Sequence, residues 1–162
     1  MVVSLRHVVD GLQMVSSDTR AYLNRITGEL TSLNVAELDL MEIAEEEIVE
    51  DGPDWQREYY RKMEEILSSD DYLMLPDSFE IHEYQIMKDF CYTIPDEDTS
   101  GLFLDMLHGS GAFRRFKDLI YRYGIENDWY AYKDQAYKEI AIAWLEREGI
   151  AYRDDLESVQ RE

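Results

Sequence analysis

The stretch from Trp129 to Leu145 constrains this chain more than any other. Trp129, Tyr132, Ala136, Tyr137, Ile140, Ala141, Trp144 and Leu145 recur at three- and four-residue spacing, which lays about five turns of apolar surface along one helix face. A helix carrying two tryptophans on one stripe has to bury that stripe, because large aromatic side chains dominate packing energy. The rest of the chain must therefore supply a core. A length of 162 residues suffices, since a domain of that size buries roughly 70% of the surface its unfolded chain exposes. The spacing thus predicts a packed domain over 1–152, followed by a polar tail, 153–162, that frays.

Other segments show weaker versions of the same signal. Ser4 can cap a helix bearing Leu5, Val8, Val9 and Leu12. Tyr22, Leu23 and Ile26 precede Thr27-Gly28, and Leu30 and Leu33 follow, a pattern that predicts a β-hairpin with glycine at a positive-φ turn position. Asp54 is expected to cap a helix with Trp55, Tyr59, Met63 and Leu67 on one stripe, and Tyr72 to Leu75 to form a short strand ending at Pro76. Asp77 and Glu80 form a capping-box pair opening a helix to about Tyr92. Further helices are expected from Glu97 to His108 and from Ala112 to Tyr123, the latter burying Phe113, Phe116, Leu119, Ile120 and Tyr123. Gly124-Ile125 and Gly149-Ile150 fit left-handed helix stops. The fold class read from this order is α+β: a mainly helical single domain with a small antiparallel sheet made of the hairpin and one short strand.

Three of these segments, FEIHEYQIMKDF from Phe79, GAFRRFKD from Gly111 and WYAYKDQAYKEIAIAWLEREGI from Trp129, occur together in a known group. With YLNRITGEL and the first helix included, the chain resembles the bacterial uncharacterised protein family 0158 over most of its length, and GAFRRFKD is the most specific piece. The resemblance implies a bacterial cytosolic protein and carries no activity. Members often place a basic residue between the two glycines before Ala-Phe-Arg-Arg, where this chain has Ser110.

Charge narrows the function classes. The chain has 36 Asp and Glu against 16 Lys and Arg, a formal charge of -20, which argues against general binding to nucleic acid or anionic membranes because such affinity comes from cations releasing counterions. The segment Glu37 to Asp51 concentrates the acids. Four cations, Arg114, Arg115, Lys117 and Arg122, fall in the helix 112–123 with Asp118 as their one opposing acid. Gly109, Ser110 and Gly111 feed that helix and could offer backbone N–H groups to an anion. These seven residues are the candidate anion- or partner-binding site. The competing structural reading makes the same cations neutralise the chain's own acids.

Motifs for chemistry are incomplete. His82-Glu83 lacks the second histidine of a zinc-protease helix, since Ile86 stands there. Asp96 to Gly101 begins like a calcium loop, but Leu107 occupies the twelfth place, and Asp96 or Asp98 as a helix cap explains the same residues. No GxSxG or SxxK is present, so no catalytic residue is assigned, and no metal or cofactor is expected. His7 and His108 read as surface or junction residues. Glu83 falls within an arc of apolar residues and is expected to form a buried polar pair, most simply with an arginine at a helix junction. Cys91 is the single cysteine, which excludes an internal disulfide, suits a reducing cytoplasm and reads as a buried inert thiol. The expected function is a non-enzymatic acidic interaction or regulatory module with a protein partner. The alternative is a nucleic-acid-linked protein, contacting RNA through the basic helix 112–123 or mimicking nucleic acid through 37–51. An enzyme would need a site without a recognisable motif, and no membrane segment is expected.

Overall fold

The computed structural model of the chain describes residues 2–38 and 54–156. Nearly all of the acidic segment 37–51, and with it the nucleic-acid-mimicry reading, lies outside the described residues. Within them the fold is α+β and mainly helical. Seven helices are α1 (Leu5–Met14), α2 (Asp54–Ser68), α3 (Ser78–Ile81), α4 (Glu83–Thr93), α5 (Glu97–Met106), α6 (Ala112–Arg122) and α7 (Glu126–Arg147). The strands are β1 (Val3–Ser4), β2 (Thr19–Asn24), β3 (Leu30–Asn34), β4 (Tyr72–Met74) and β5 (Tyr152–Arg153). The chain divides into two compact units, Met1–Glu80 with Ala141–Glu162 and Ile81–Ile140.

In the first unit the expected hairpin forms and β4 joins it, giving the antiparallel order β3-β2-β4. Asn24 builds the turn: its Oδ1 accepts the amides of Ile26 and Thr27 at 2.8 and 3.0 Å, and Gly28 closes it at φ 78°. Only a residue without a Cβ enters that region freely. Pairing of Arg20 with Leu33 and of Asn24 with Tyr72 puts Tyr22, Leu33 and Tyr72 on one face, since strand side chains alternate. Tyr60, Met63 and Ile66 of α2 cover that face. Helix α1 lies against β2 and β3 with Leu5, Val8, Val9 and Leu12 buried, each contributing about 1.5 to 3 kcal/mol before entropy is counted. The Ser4 hydroxyl accepts the His7 amide and caps α1 as the sequence indicates.

One expectation fails in this unit for a geometric reason. Trp55 and Leu67 of α2 are exposed at 71% and 47%. At 100° per residue Trp55 lies just outside the arc that Ile66, Met63 and Tyr60 bury, whereas Leu67 falls within that arc but stands one residue from the end of α2. The described part of α2 begins at Asp54, so the cap expected there falls at the edge of the described residues. Of the polar tail expected over 153–162, residues 153–156 are described. Tyr152 and Arg153 pair in parallel with Val3 and Ser4, and Asp155 accepts the Ser4 hydroxyl at 2.5 Å and the Arg6 amide at 2.9 Å. Burial opposes the Asp155 charge, but these hydrogen bonds outweigh it and hold the carboxyl below its ordinary pKa.

The second unit is built on aromatic rings. Phe90 of α4 meets Trp129 and Tyr132 of α7 edge-on with centroids 5.3 and 5.4 Å apart, and Phe116 of α6 meets Trp129 at 4.9 Å and Phe103 of α5 at 6.1 Å. Edge-to-face pairs at these distances contribute about 0.5 to 1.5 kcal/mol each beyond their area. Gly124 at φ 66° ends α6, with the Ile125 amide on the Ile120 carbonyl at 3.1 Å, and in the first unit Gly149 at φ 70° ends α7 with the Ile150 amide on Leu145 at 2.9 Å. Both are the glycine stops read from sequence.

The helix expected from Ser78 to Tyr92 is broken. Asp77 does cap its start, accepting the Glu80 amide at 2.9 Å. After one turn His82 adopts φ 54° and ψ 57°, and its carbonyl receives Gln85 and Ile86 to begin α4. Histidine tolerates this left-handed region better than most residues, which is why the sequence pattern shows no break.

Candidate functional site

Helix α6 buries Ala112, Phe116, Leu119 and Ile120, and this choice decides where its cations point. At 100° per residue the buried arc runs from Leu119 to Ile120, so Arg114, Lys117, Asp118, Tyr121 and Arg122 occupy the opposite side. All five are exposed. Phe113 and Tyr123, expected in the core, are 46% and 44% exposed, Phe113 because it flanks the buried arc and Tyr123 because it stands at the C-terminal cap of α6, past the last helical residue. Tyr121 is 60% exposed, and its hydroxyl lies 3.1 Å from that of Tyr130 on α7, itself 48% exposed. The hydrogen bond to Tyr130 raises the pKa of the Tyr121 hydroxyl, which stays neutral at pH 7.

Arg115 sits differently from the other three. Its Nε donates to the Met106 carbonyl at 3.1 Å and its Nη1 to the Ser110 carbonyl at 2.7 Å, while Nη2 donates to the His108 carbonyl. All three arms of the guanidinium thus hold the connection between α5 and α6. Gly109 and Gly111 bend that connection at φ 75° and 80°, and a Cβ on Gly111 would stand 3.1 Å from Arg115 Nη1. The Tyr84 hydroxyl adds a bond to the Leu107 carbonyl at 2.9 Å. The loop therefore turns carbonyl oxygens toward a cation. Among the seven residues singled out from sequence, Gly109, Ser110, Gly111 and Arg115 form this internal clamp, and Arg114, Lys117 and Arg122 form a separate outward set. None of those three cations makes an ion pair with a described residue.

Glu83 lies elsewhere. It pairs with Lys133 of α7 at 3.5 Å, and its side chain is 39% exposed, so the expected buried pair with an arginine is a half-open pair with a lysine. The break at His82 removes Phe79 from the arc in which Glu83 was counted, leaving Phe79 78% exposed. Lys133 also lies over the Tyr137 ring, 5.6 Å from its centroid. Tyr137 is buried, and burial together with the Glu83 charge pushes its hydroxyl pKa far up. Burial likewise pushes the Cys91 thiol up to about 11, which leaves it protonated and unreactive at neutral pH. Asp96 starts α5 and accepts the Thr99 hydroxyl at 2.6 Å, so the residues that begin like a calcium loop are helical from Glu97 onward. Among the described residues no three His, Cys, Asp or Glu side chains gather as a metal site would require, and no helix is long and apolar enough to cross a membrane.

The exposed aromatics Phe113, Tyr121 and Tyr130 are the part of this surface that the sequence pattern assigned to the core or left unused. The signal was present in the four-residue row Phe113, Lys117, Tyr121, where an aromatic at each end brackets a lysine.

Fold and surface together define an α+β protein of mainly helical build with one cationic, aromatic helix face. The chain belongs to the uncharacterised protein family UPF0158, whose sequence model matches residues 1–161. No curated protein and no solved structure matches it.

Proposed function

We propose that this protein is a non-enzymatic interaction module, acting in the cytoplasm, whose docking surface for an anionic partner is the outer face of α6. The observation that carries the reading is the separation of the cations. Arg115 spends its donors on three backbone carbonyls, whereas Arg114, Lys117 and Arg122 stand exposed beside Phe113, Tyr121 and Tyr130. Exposed cations away from such a role contribute about 0 to 1 kcal/mol to folding, so stability alone does not account for clustering them on one helix. Arginine and tyrosine are also enriched among the residues that supply most binding energy at protein interfaces, and phenylalanine is enriched in interface composition.

A photo-crosslinking amino acid at position 121, introduced in the native cell, tests this. The expected result is a discrete adduct that disappears when Arg114 and Arg122 are both changed to Glu and that does not form from exposed Glu58 on α2. Equal labelling from both positions would contradict the proposal.

A further inference from the structure

The outer face of α6 is not uniformly positive. Phe113, Lys117 and Tyr121 make one four-residue row, and Arg114, Asp118 and Arg122 make the next. The exposed carboxylate of Asp118 therefore stands between two exposed guanidinium groups, with about 6 Å of helix rise to each. A phosphodiester strand presents a charge at every nucleotide, and one laid along this row would bring a phosphate against Asp118. The wider field adds to that repulsion, because the unit Ile81–Ile140 holds 7 Lys and Arg against 11 Asp and Glu. A polypeptide escapes both problems, since it can place charge at chosen positions and leave others neutral. The aromatic row beside the charges then offers apolar contact, with Phe113 at 46% and Tyr121 at 60% exposure.

Resting on the reading of this face as a docking site, we infer that its occupant is an acidic amphipathic segment of another protein. Two carboxylates of the segment, about 12 Å apart, meet Arg114 and Arg122, which are eight residues apart on α6. A neutral or hydrogen-bond-donating residue faces Asp118, and an apolar edge packs on Phe113 and Tyr121. The mixed pattern gives register as well as attraction, because a segment shifted by one turn would set a carboxylate against Asp118.

Fluorescence anisotropy with two labelled probes tests the assignment. One is a synthetic amphipathic helix with leucines along one row and glutamates two turns apart along the neighbouring row; the other is an oligouridylate of equal length. The wild-type protein is expected to bind the peptide more tightly than the oligouridylate, and Phe113→Ala to weaken the peptide by about tenfold. Arg114→Glu with Arg122→Glu is expected to abolish peptide binding, and a peptide with lysines in place of its glutamates to restore it on that variant. Circular dichroism confirms that each variant is folded. Tighter binding of the oligouridylate, lost in the same double variant, would overturn the partner class while leaving the face as the docking site. Failure to bind the peptide, with the position-121 crosslink still present, would do the same. Peptide binding that survives both the charge reversal and Phe113→Ala would overturn the face itself.

Discussion

Replacing Arg115 by alanine should be costly in a way that replacing its neighbour Arg114 is not. The Arg115 guanidinium donates to the carbonyls of Met106, His108 and Ser110, of which the Met106 bond is part-buried and the other two are exposed. A hydrogen bond from a charged donor contributes about 1.5 to 3 kcal/mol when shielded, and much less where water can substitute. Taking about 1.5 kcal/mol for the Met106 bond and about 0.5 kcal/mol for each exposed one gives about 2.5 kcal/mol for Arg115→Ala. For a chain of this size that corresponds to a fall in Tm of about 5 to 10 °C. Arg114→Ala should stay within about 0.5 kcal/mol of wild type. Arg115→Lys should recover less than half of the loss, because a lysine ammonium cannot fork to three carbonyls arranged around a planar guanidinium. Urea melts at pH 7, read by circular dichroism with a common slope, give all three differences. Equal midpoints for Arg114→Ala and Arg115→Ala would refute the clamp and return Arg115 to the outward set.

The remaining expectations follow from the same packing. Gly111→Ala should cost about 1 to 2 kcal/mol, because φ is 80° there and the new Cβ crowds Arg115; a thermal melt shows it. Trp144, 3% exposed on α7, should cost about 3 to 5 kcal/mol as Trp144→Ala, whereas an unchanged urea midpoint would mean that its stripe is not core. Hydrogen bonds from Ser4 and Arg6 hold Asp155 below its unfolded pKa of about 3.9, so its contribution is complete above that value and disappears as pH falls through the lower folded one. The stability gap between wild type and Asp155→Asn should therefore be full at pH 6 and narrow below about pH 3, followed by urea melts across that range.

Where one stripe or one turn decides the local structure, the sequence was sufficient. The Trp129 to Leu145 stripe, the glycine stops at Gly124 and Gly149, the Ser4 cap and the Gly28 hairpin all occur as their local chemistry requires. Failures came where tertiary context chose between faces that periodicity leaves nearly equal. Helix α2 shows this, with Tyr60 and Ile66 buried and Trp55, at the edge of their arc, 71% exposed. His82 escaped notice because a histidine inside an apolar helical pattern carries no breaking signal, and its left-handed backbone in turn freed Glu83 and Phe79 from the face assigned to them. At the site, helix position placed Phe116, Leu119 and Ile120 in the core and Arg114, Lys117 and Arg122 outside it, but wrongly buried Phe113 and Tyr123. It could not reveal that Arg115, at the edge of the arc, reaches back to the loop, because the carbonyl positions of Met106, His108 and Ser110 depend on how α5 ends.

The account rests on Arg115 pointing inward while Arg114 and Arg122 point outward, and arginine-specific labelling with phenylglyoxal, read residue by residue by mass spectrometry, measures that division directly. In the folded protein Arg114 and Arg122 should react at the rate of an open guanidinium and Arg115 far more slowly, with Arg114 and Arg122 becoming protected when the acidic peptide is added. Equal reactivity of all three, or protection of Arg114 and Arg122 in the protein alone, would contradict the account.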